Sequence, residues 1–90
     1  MSVVRQLTII NEKGLHARAS AKFVETVEAH DARAWVEKAG ERVSGDSIMG
    51  LLMLAAAKGS TITLTTSGPD ADTLAAALAA LVADCFGEGC

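Results

Sequence analysis

The sequence predicts an α+β domain of two layers, an antiparallel sheet with helices packed on one face. Two observations carry this expectation. Hydrophobic patterns of period 2 and period 3.6 alternate along the chain in the order β-α-β-β-α-β-α. The strand patterns 32–38 and 41–44 are separated only by Ala39-Gly40, which suits a hairpin and so an antiparallel pair. Alternating strands have one apolar and one wet face, and helices must cover the apolar one. With 90 residues, half of them hydrophobic, the chain suits a single domain, 1–90, around one core.

Each element has its own local reason. Val3 to Ile10 alternates, with Val3, Leu7 and Ile9 on one face. Asn11-Glu12-Lys13-Gly14 is a turn cluster. A helical pattern follows from about Ala17 to Glu28, with Phe23, Val24 and Val27 as its apolar residues. Ala32 to Lys38 alternates again, placing Ala32, Ala34 and Val36 inward, and Glu41 to Ser44 returns beside it. Ser47, preceded by Asp46, reads as the N-cap of a helix that runs to about Ala57. Lys58 suits that helix's last turn and Gly59 the position just beyond it. Ser60 to Thr66 is a strand with Ile62 and Leu64 inward and its threonines outward. Gly68-Pro69-Asp70 breaks the pattern before the last helix, whose stripe is Leu74, Leu78, Leu81, Val82 and Cys85.

Charge and composition narrow the function. A formal net charge of −3, from 8 basic and 11 acidic residues, argues against a nucleic-acid binder. No apolar run approaches the length of a membrane span, and Met1-Ser2-Val3-Val4-Arg5 does not begin a signal peptide. The expectation is a cytoplasmic protein without membrane insertion. Cys85 and Cys90 have no metal or redox spacing. Cys85 is expected as a buried structural thiol, Cys90 as a frayed end, with no disulfide framework. No cofactor or metal is expected, and a domain this small suits a surface site better than a deep cavity.

The residues that could carry chemistry begin with Lys13-Gly14-Leu15-His16-Ala17-Arg18. His16 follows a glycine turn and opens a helix. Free backbone N–H groups and the positive end of the helix dipole favour anions there. The same field disfavours an imidazolium, and a neutral ring with a lone pair is a competent nucleophile. Arg18 and Lys22 lie four residues apart, where like charges repel, close to a helix start that normally prefers acidic residues. Such a pattern makes sense if an anion such as phosphate sits there, with Arg18 offering a forked contact. A histidine at a helix start also serves as a cap or a solvated side chain, and only the Gly-x-His-x-Arg cluster lifts His16 above that reading. His30, in the Ala29-His30-Asp31 loop, reads as a surface residue.

The second feature is Asp46-Ser47-Ile48-Met49-Gly50-Leu51-Leu52-Met53-Leu54, apolar almost all round. A small two-layer domain cannot enclose such a helix, so some of Ile48, Met49, Leu52 and Met53 should reach the surface. Exposed apolar patches mark docking sites, and methionine suits a surface that meets several partners. A phosphate on Ser47 would be tolerated by its own helix start while placing about two negative charges beside that patch.

Gly14-Leu15-His16-Ala17-Arg18 and Ser47-Ile48-Met49-Gly50 closely resemble the two signatures of the HPr family, the histidine-containing phosphocarriers of the bacterial phosphotransferase system. The resemblance covers nearly the whole chain in length, element order and motif spacing. It implies an open-faced β-sandwich, with a four-stranded antiparallel sheet under three helices. It implies that His16 takes phosphate at Nδ1 from enzyme I, itself charged by phosphoenolpyruvate, and passes it to a histidine on a IIA-type protein. Arg18 would contact the phosphate. Ser47 matches the serine modified by HPr kinase/phosphorylase in many bacteria. Ile48, Met49 and Leu52, with Leu15 and Ala21, would form the docking surface. The chain would be a stoichiometric carrier rather than an enzyme, for which a monomer is well suited. An alternative is a binding module regulated mainly through Ser47. The sequence departs from the family at Ala19, where proline is usual, and at Glu25 and Glu28, where many members carry basic residues. These departures bear on which partner, of a sugar or a nitrogen-related branch, the chain serves.

Overall fold

The computed structural model describes residues 2–90. The elements run β1 (Ser2–Thr8), α1 (Ala17–Glu28), β2 (Arg33–Lys38), β3 (Glu41–Ser44), α2 (Ile48–Met53), β4 (Thr61–Ser67) and α3 (Ala71–Ala83), followed by a 3₁₀ turn at Cys85–Gly87. The four strands form one antiparallel sheet in the order β1-β4-β2-β3. Leu64 of β4 lies between Arg5 of β1 and Val36 of β2, and Val36 in turn faces Val43 of β3. The three helices cover one face, and the expected open-faced sandwich is the observed one.

The core lies between the layers. Val36, Ile62 and Leu64 from the sheet meet Phe23, Leu51, Leu74 and Leu78 from the helices, all fully buried. Each such side chain contributes about 1.5–3 kcal/mol relative to exposure. On the open face Trp35 is half-buried, with the Arg42 guanidinium 5.1 Å from its ring centroid.

Several boundaries differ from the sequence expectation. Helix α2 ends at Met53 rather than near Ala57, and Ala55, not Gly59, takes the left-handed turn just beyond it, at φ +51°. The cause is tertiary. Leu15 N–H donates to the Ala56 carbonyl at 2.9 Å, which requires 54–57 to leave the helix and run beside Gly14. Gly14 has φ +65°, and a Cβ there would sit 2.5 Å from that carbonyl oxygen. Thr66 also departs from the outward threonines. It is fully buried, and its hydroxyl donates to the Ala71 carbonyl at 2.8 Å, tying β4 to the start of α3.

The C-terminus differs most. Helix α3 stops at Ala83, and Cys85 and Phe86 both have positive φ, +53° and +54°, which turns the chain back. Cys85 is therefore buried beside α3 rather than on it, and it is neither free nor frayed from Cys90: their sulfurs are bonded, with Cα atoms 5.4 Å apart. Phe86 is fully buried in the core cluster.

Candidate phosphate-acceptor site

The site assembles where the β1–α1 loop meets the reversed C-terminus. His16 is the N-cap residue of α1, in extended backbone at φ −80° and ψ −177°, and its side chain makes no cap hydrogen bond. The first intrahelical bond runs from Ser20 N–H to the His16 carbonyl at 2.8 Å. Helical geometry thus leaves the N–H groups of Ala17, Arg18 and Ala19 without an intrahelical acceptor. No acidic residue occupies this first turn. An anion placed there meets aligned N–H groups and the positive helix end.

The His16 ring is half-buried, and its Nε2 pairs with Oε2 of Glu88. The other carboxylate oxygen, Oε1, accepts a hydrogen bond from Asn11 Nδ2 at 2.9 Å. Asn11 is fully buried, and the same amide nitrogen donates to the Gly14 carbonyl at 2.9 Å. One asparagine therefore joins the glycine turn to the C-terminal carboxylate. Glu88 is held below the ordinary range for a carboxyl, first by the Asn11 hydrogen bond, then by the hydrogen bond and charge of His16, and last by Lys13; partial burial opposes them.

Arg18 is exposed and makes no ion pair among the described residues. It lines a cleft of about 390 Å³ with Lys13, Lys22 and Glu88. Lys22 lines the same cleft but has one of its three N–H donors committed elsewhere. Its Nζ donates to the Phe86 carbonyl at 2.6 Å and anchors the reversed C-terminus. Ala19, where the family usually has proline, is fully buried, and Ser20 beside it turns its hydroxyl to the Leu15 carbonyl at 3.3 Å.

Ser47 is the N-cap of α2, and its Oγ accepts from Gly50 N–H at 3.0 Å. Beyond it Ile48, Met49 and Met53 are exposed, at 39%, 68% and 68%. Leu52 is half-buried and lines a shallow pocket with His16 and Lys13, so the apolar surface of α2 reaches the histidine. Ala21 is half-buried. Leu15 does not fit a docking role: it is 5% exposed and belongs to the core, because its backbone pairing to Ala56 draws it inward. His30, expected on the surface, is half-buried and pairs through Nδ1 with the Thr26 carbonyl at 2.7 Å.

Sequence reasoning did not find Asn11 or Glu88. Asn11 was visible only as a turn residue, and Glu88 lies 72 positions from His16, with no local pattern to link them. The described residues contain no cluster of three or more potential metal ligands and no helix long and apolar enough to cross a membrane.

Comparison with known proteins agrees with this arrangement. Residues 3–84 match the family model described as the PTS HPr component phosphorylation site. The phosphocarrier protein HPr of Neisseria meningitidis is 51% identical over 85 residues, which cover 94% of this chain and 96% of that protein. The phosphocarrier protein NPr of Shewanella violacea is 43% identical over 84 residues, covering 93% and 92%. Among solved structures, HPr-C-His from Thermoanaerobacter tengcongensis superposes with a TM-score of 0.91 at 36% identity, covering 96% of this chain and 97% of that one. The HPr of Bacillus anthracis gives 0.86 at 41%, covering 90% and 96%. With its two signature motifs, its sandwich fold and these relatives in agreement, the chain belongs to the HPr family of phosphocarrier proteins of the phosphotransferase system.

Proposed function

We propose that His16 carries the phosphoryl group on Nδ1, receiving it from enzyme I and handing it to a histidine of a IIA-type protein. The observation that carries this reading is the position of His16. Its ring makes no cap bond, so the open helix start of α1 remains available to an anion, and Arg18 stands exposed two residues on, within the first turn. Phosphoryl transfer needs positioning and charge stabilisation more than further covalent machinery, which suits a surface site on a small domain. The free amides and Arg18 hold the phosphate oxygens, and the phosphate departs with its next acceptor. The chain is thus a stoichiometric carrier that acts in the cytoplasm as a monomer.

Ile48, Met49 and Leu52, joined by Met53, provide the docking surface beside His16, with Ala21 at its margin. Docking of this kind is transient and modest in area. Ser47 is the regulatory position, a substrate for a kinase of the HPr kinase/phosphorylase type. Its hydroxyl caps α2, so a phosphate there remains next to the helix N–H groups while bringing negative charge to the docking surface.

Incubation with enzyme I and labelled phosphoenolpyruvate tests the carrier reading. The parent is expected to take up about one acid-labile phosphoryl group per chain and His16→Ala none. Equal labelling of the two would overturn the assignment. For Ser47, the expected product is an acid-stable, ATP-dependent label that is absent in Ser47→Ala and slows labelling of His16.

A further inference from the structure

The carrier reading leaves one half of the His16 ring unexplained. The proposed acceptor atom is Nδ1, yet the atom with a built environment is Nε2, which faces Glu88. The carboxylate is not there by chance contact of a loose tail. Three tethers fix it: the Cys85–Cys90 disulfide closes the short loop that contains Glu88, Lys22 holds the Phe86 carbonyl, and buried Asn11 holds the second carboxylate oxygen. Phe86, fully buried, seats the base of the loop in the core.

A neutral imidazole has one protonated and one bare nitrogen, and the hydrogen bond made by one nitrogen decides the state of the other. A carboxylate can only accept, so Nε2 opposite it must carry the proton, and the lone pair then lies on Nδ1. We propose that Glu88 is a positioning residue for His16: it fixes the tautomer whose Nδ1 is nucleophilic, and the Cys85–Cys90 bond keeps it in place, so that phosphoryl acceptance depends on the thiol state of the C-terminal loop. This rests on the carrier reading for the identity of the acceptor atom.

The Nδ1 lone pair forms a bond to phosphorus, the bond from phosphorus to the donor breaks, and the donor keeps that electron pair. Nε2 retains its proton throughout. The ring becomes formally cationic on gaining the phosphoryl group, and the carboxylate at Nε2 offsets that charge, as a buried carboxylate does for the histidine of a serine protease. Reduction of the loop requires two electrons from a small thiol or a dithiol protein. A thiolate attacks the sulfur of Cys90, the exposed residue of the pair, and expels Cys85 as thiolate; a second thiolate then releases Cys90 as the reductant's own disulfide forms.

Nitrogen-15 NMR of the imidazole ring reads the tautomer directly, in unphosphorylated protein. The oxidised parent is expected to show Nε2 protonated and Nδ1 bare, Glu88→Gln the same because its amide oxygen still accepts, and Glu88→Ala a mixture of tautomers. Single-turnover labelling by enzyme I should slow about tenfold in Glu88→Ala, with Glu88→Gln in between because it lacks the charge. Adding dithiothreitol should slow the parent toward Cys90→Ala and leave Cys90→Ala unchanged. An unaltered tautomer and rate in Glu88→Ala would overturn the proposal, as would faster labelling, which would make the carboxylate a blocking group. If enzyme I labels not even the parent, the carrier reading fails, while the nitrogen spectra still decide whether Glu88 sets the ring.

Discussion

The starts of α1 and α2 use the same local device in opposite ways. Both N-cap residues have extended backbone, His16 at ψ −177° and Ser47 at ψ +108°. Ser47 turns its oxygen back onto Gly50 N–H and closes its own helix end. His16 makes no such bond, turns its ring toward Glu88 and leaves the end of α1 open. One helix start is thus capped by its own side chain, and the other is left uncapped. This difference supports the roles proposed for the two signature residues. An open start beside a nucleophile accepts an anion directly, whereas a closed one can signal only if the capping hydroxyl itself is modified.

The contrast depends most on Gly14, whose left-handed backbone delivers Leu15 to Ala56 and His16 to the surface. In Gly14→Ala the new Cβ would lie 2.5 Å from the Ala56 carbonyl oxygen and 2.9 Å from the Ala57 Cα, at φ +65°. Backbone on both sides cannot yield cheaply, so unfolding stability should fall by about 2–3 kcal/mol in urea titration. A loss below about 0.5 kcal/mol would show that the open start does not need this turn.

A smaller effect separates the two caps themselves. Ser47→Ala removes a formed cap bond and should cost about 1 kcal/mol. His16→Ala removes no cap, and its partly exposed pair with Glu88 is worth little to the fold, so its cost should stay within about 0.5 kcal/mol. Equal losses in the two variants would erase the distinction between a closed and an open helix start.

How far the sequence anticipates this structure depends on the span of the interactions involved. The bounds of α1 and β3 are legible because periodicity and turn residues decide them locally. The N-cap of α2 at Ser47 is legible too, whereas the C-terminal ends of α2 and α3 are not. Beyond α2, Ala56 is claimed by Leu15 from the far side of the sequence. Thr66 reads as an outward threonine until its hydroxyl finds the Ala71 carbonyl. The largest omission is the reversed C-terminus, where Lys22 meets Phe86, His16 meets Glu88 and Asn11 meets Glu88 across 64, 72 and 77 positions. No periodic pattern reports such pairings. One signal was present: Phe86, one of only two phenylalanines, lies just past an apolar stripe and is too large to leave in water.

The smallest effect concerns the acid limit of the open site. Glu88 is held below the ordinary carboxyl value by Asn11 first and then by His16 and Lys13, while Arg18, Lys22 and Glu12 line the same cleft. A group lowered in the folded state stabilises its contacts above its unfolded value, about 4.3 for glutamate, and that contribution is lost as pH falls through the folded value. Docking of the C-terminal loop should therefore be constant from neutral pH down to about 5 and weaken only below the ordinary carboxyl range. The carboxyl carbon-13 shift of Glu88 reports this directly: its midpoint should lie below that of an unstructured glutamate. Asn11→Ala, which removes the largest cause, should move the midpoint upward more than Lys13→Ala does. Added salt should erase most of the Lys13 effect and little of the Asn11 effect, because screening acts on exposed charge and not on a short hydrogen bond from a buried amide. The start of α2, capped by a neutral hydroxyl, should show no matching transition at Gly50. A shared transition at Gly50 and Glu88 would mean that acid loosens the whole fold and that the two helix starts are not independent.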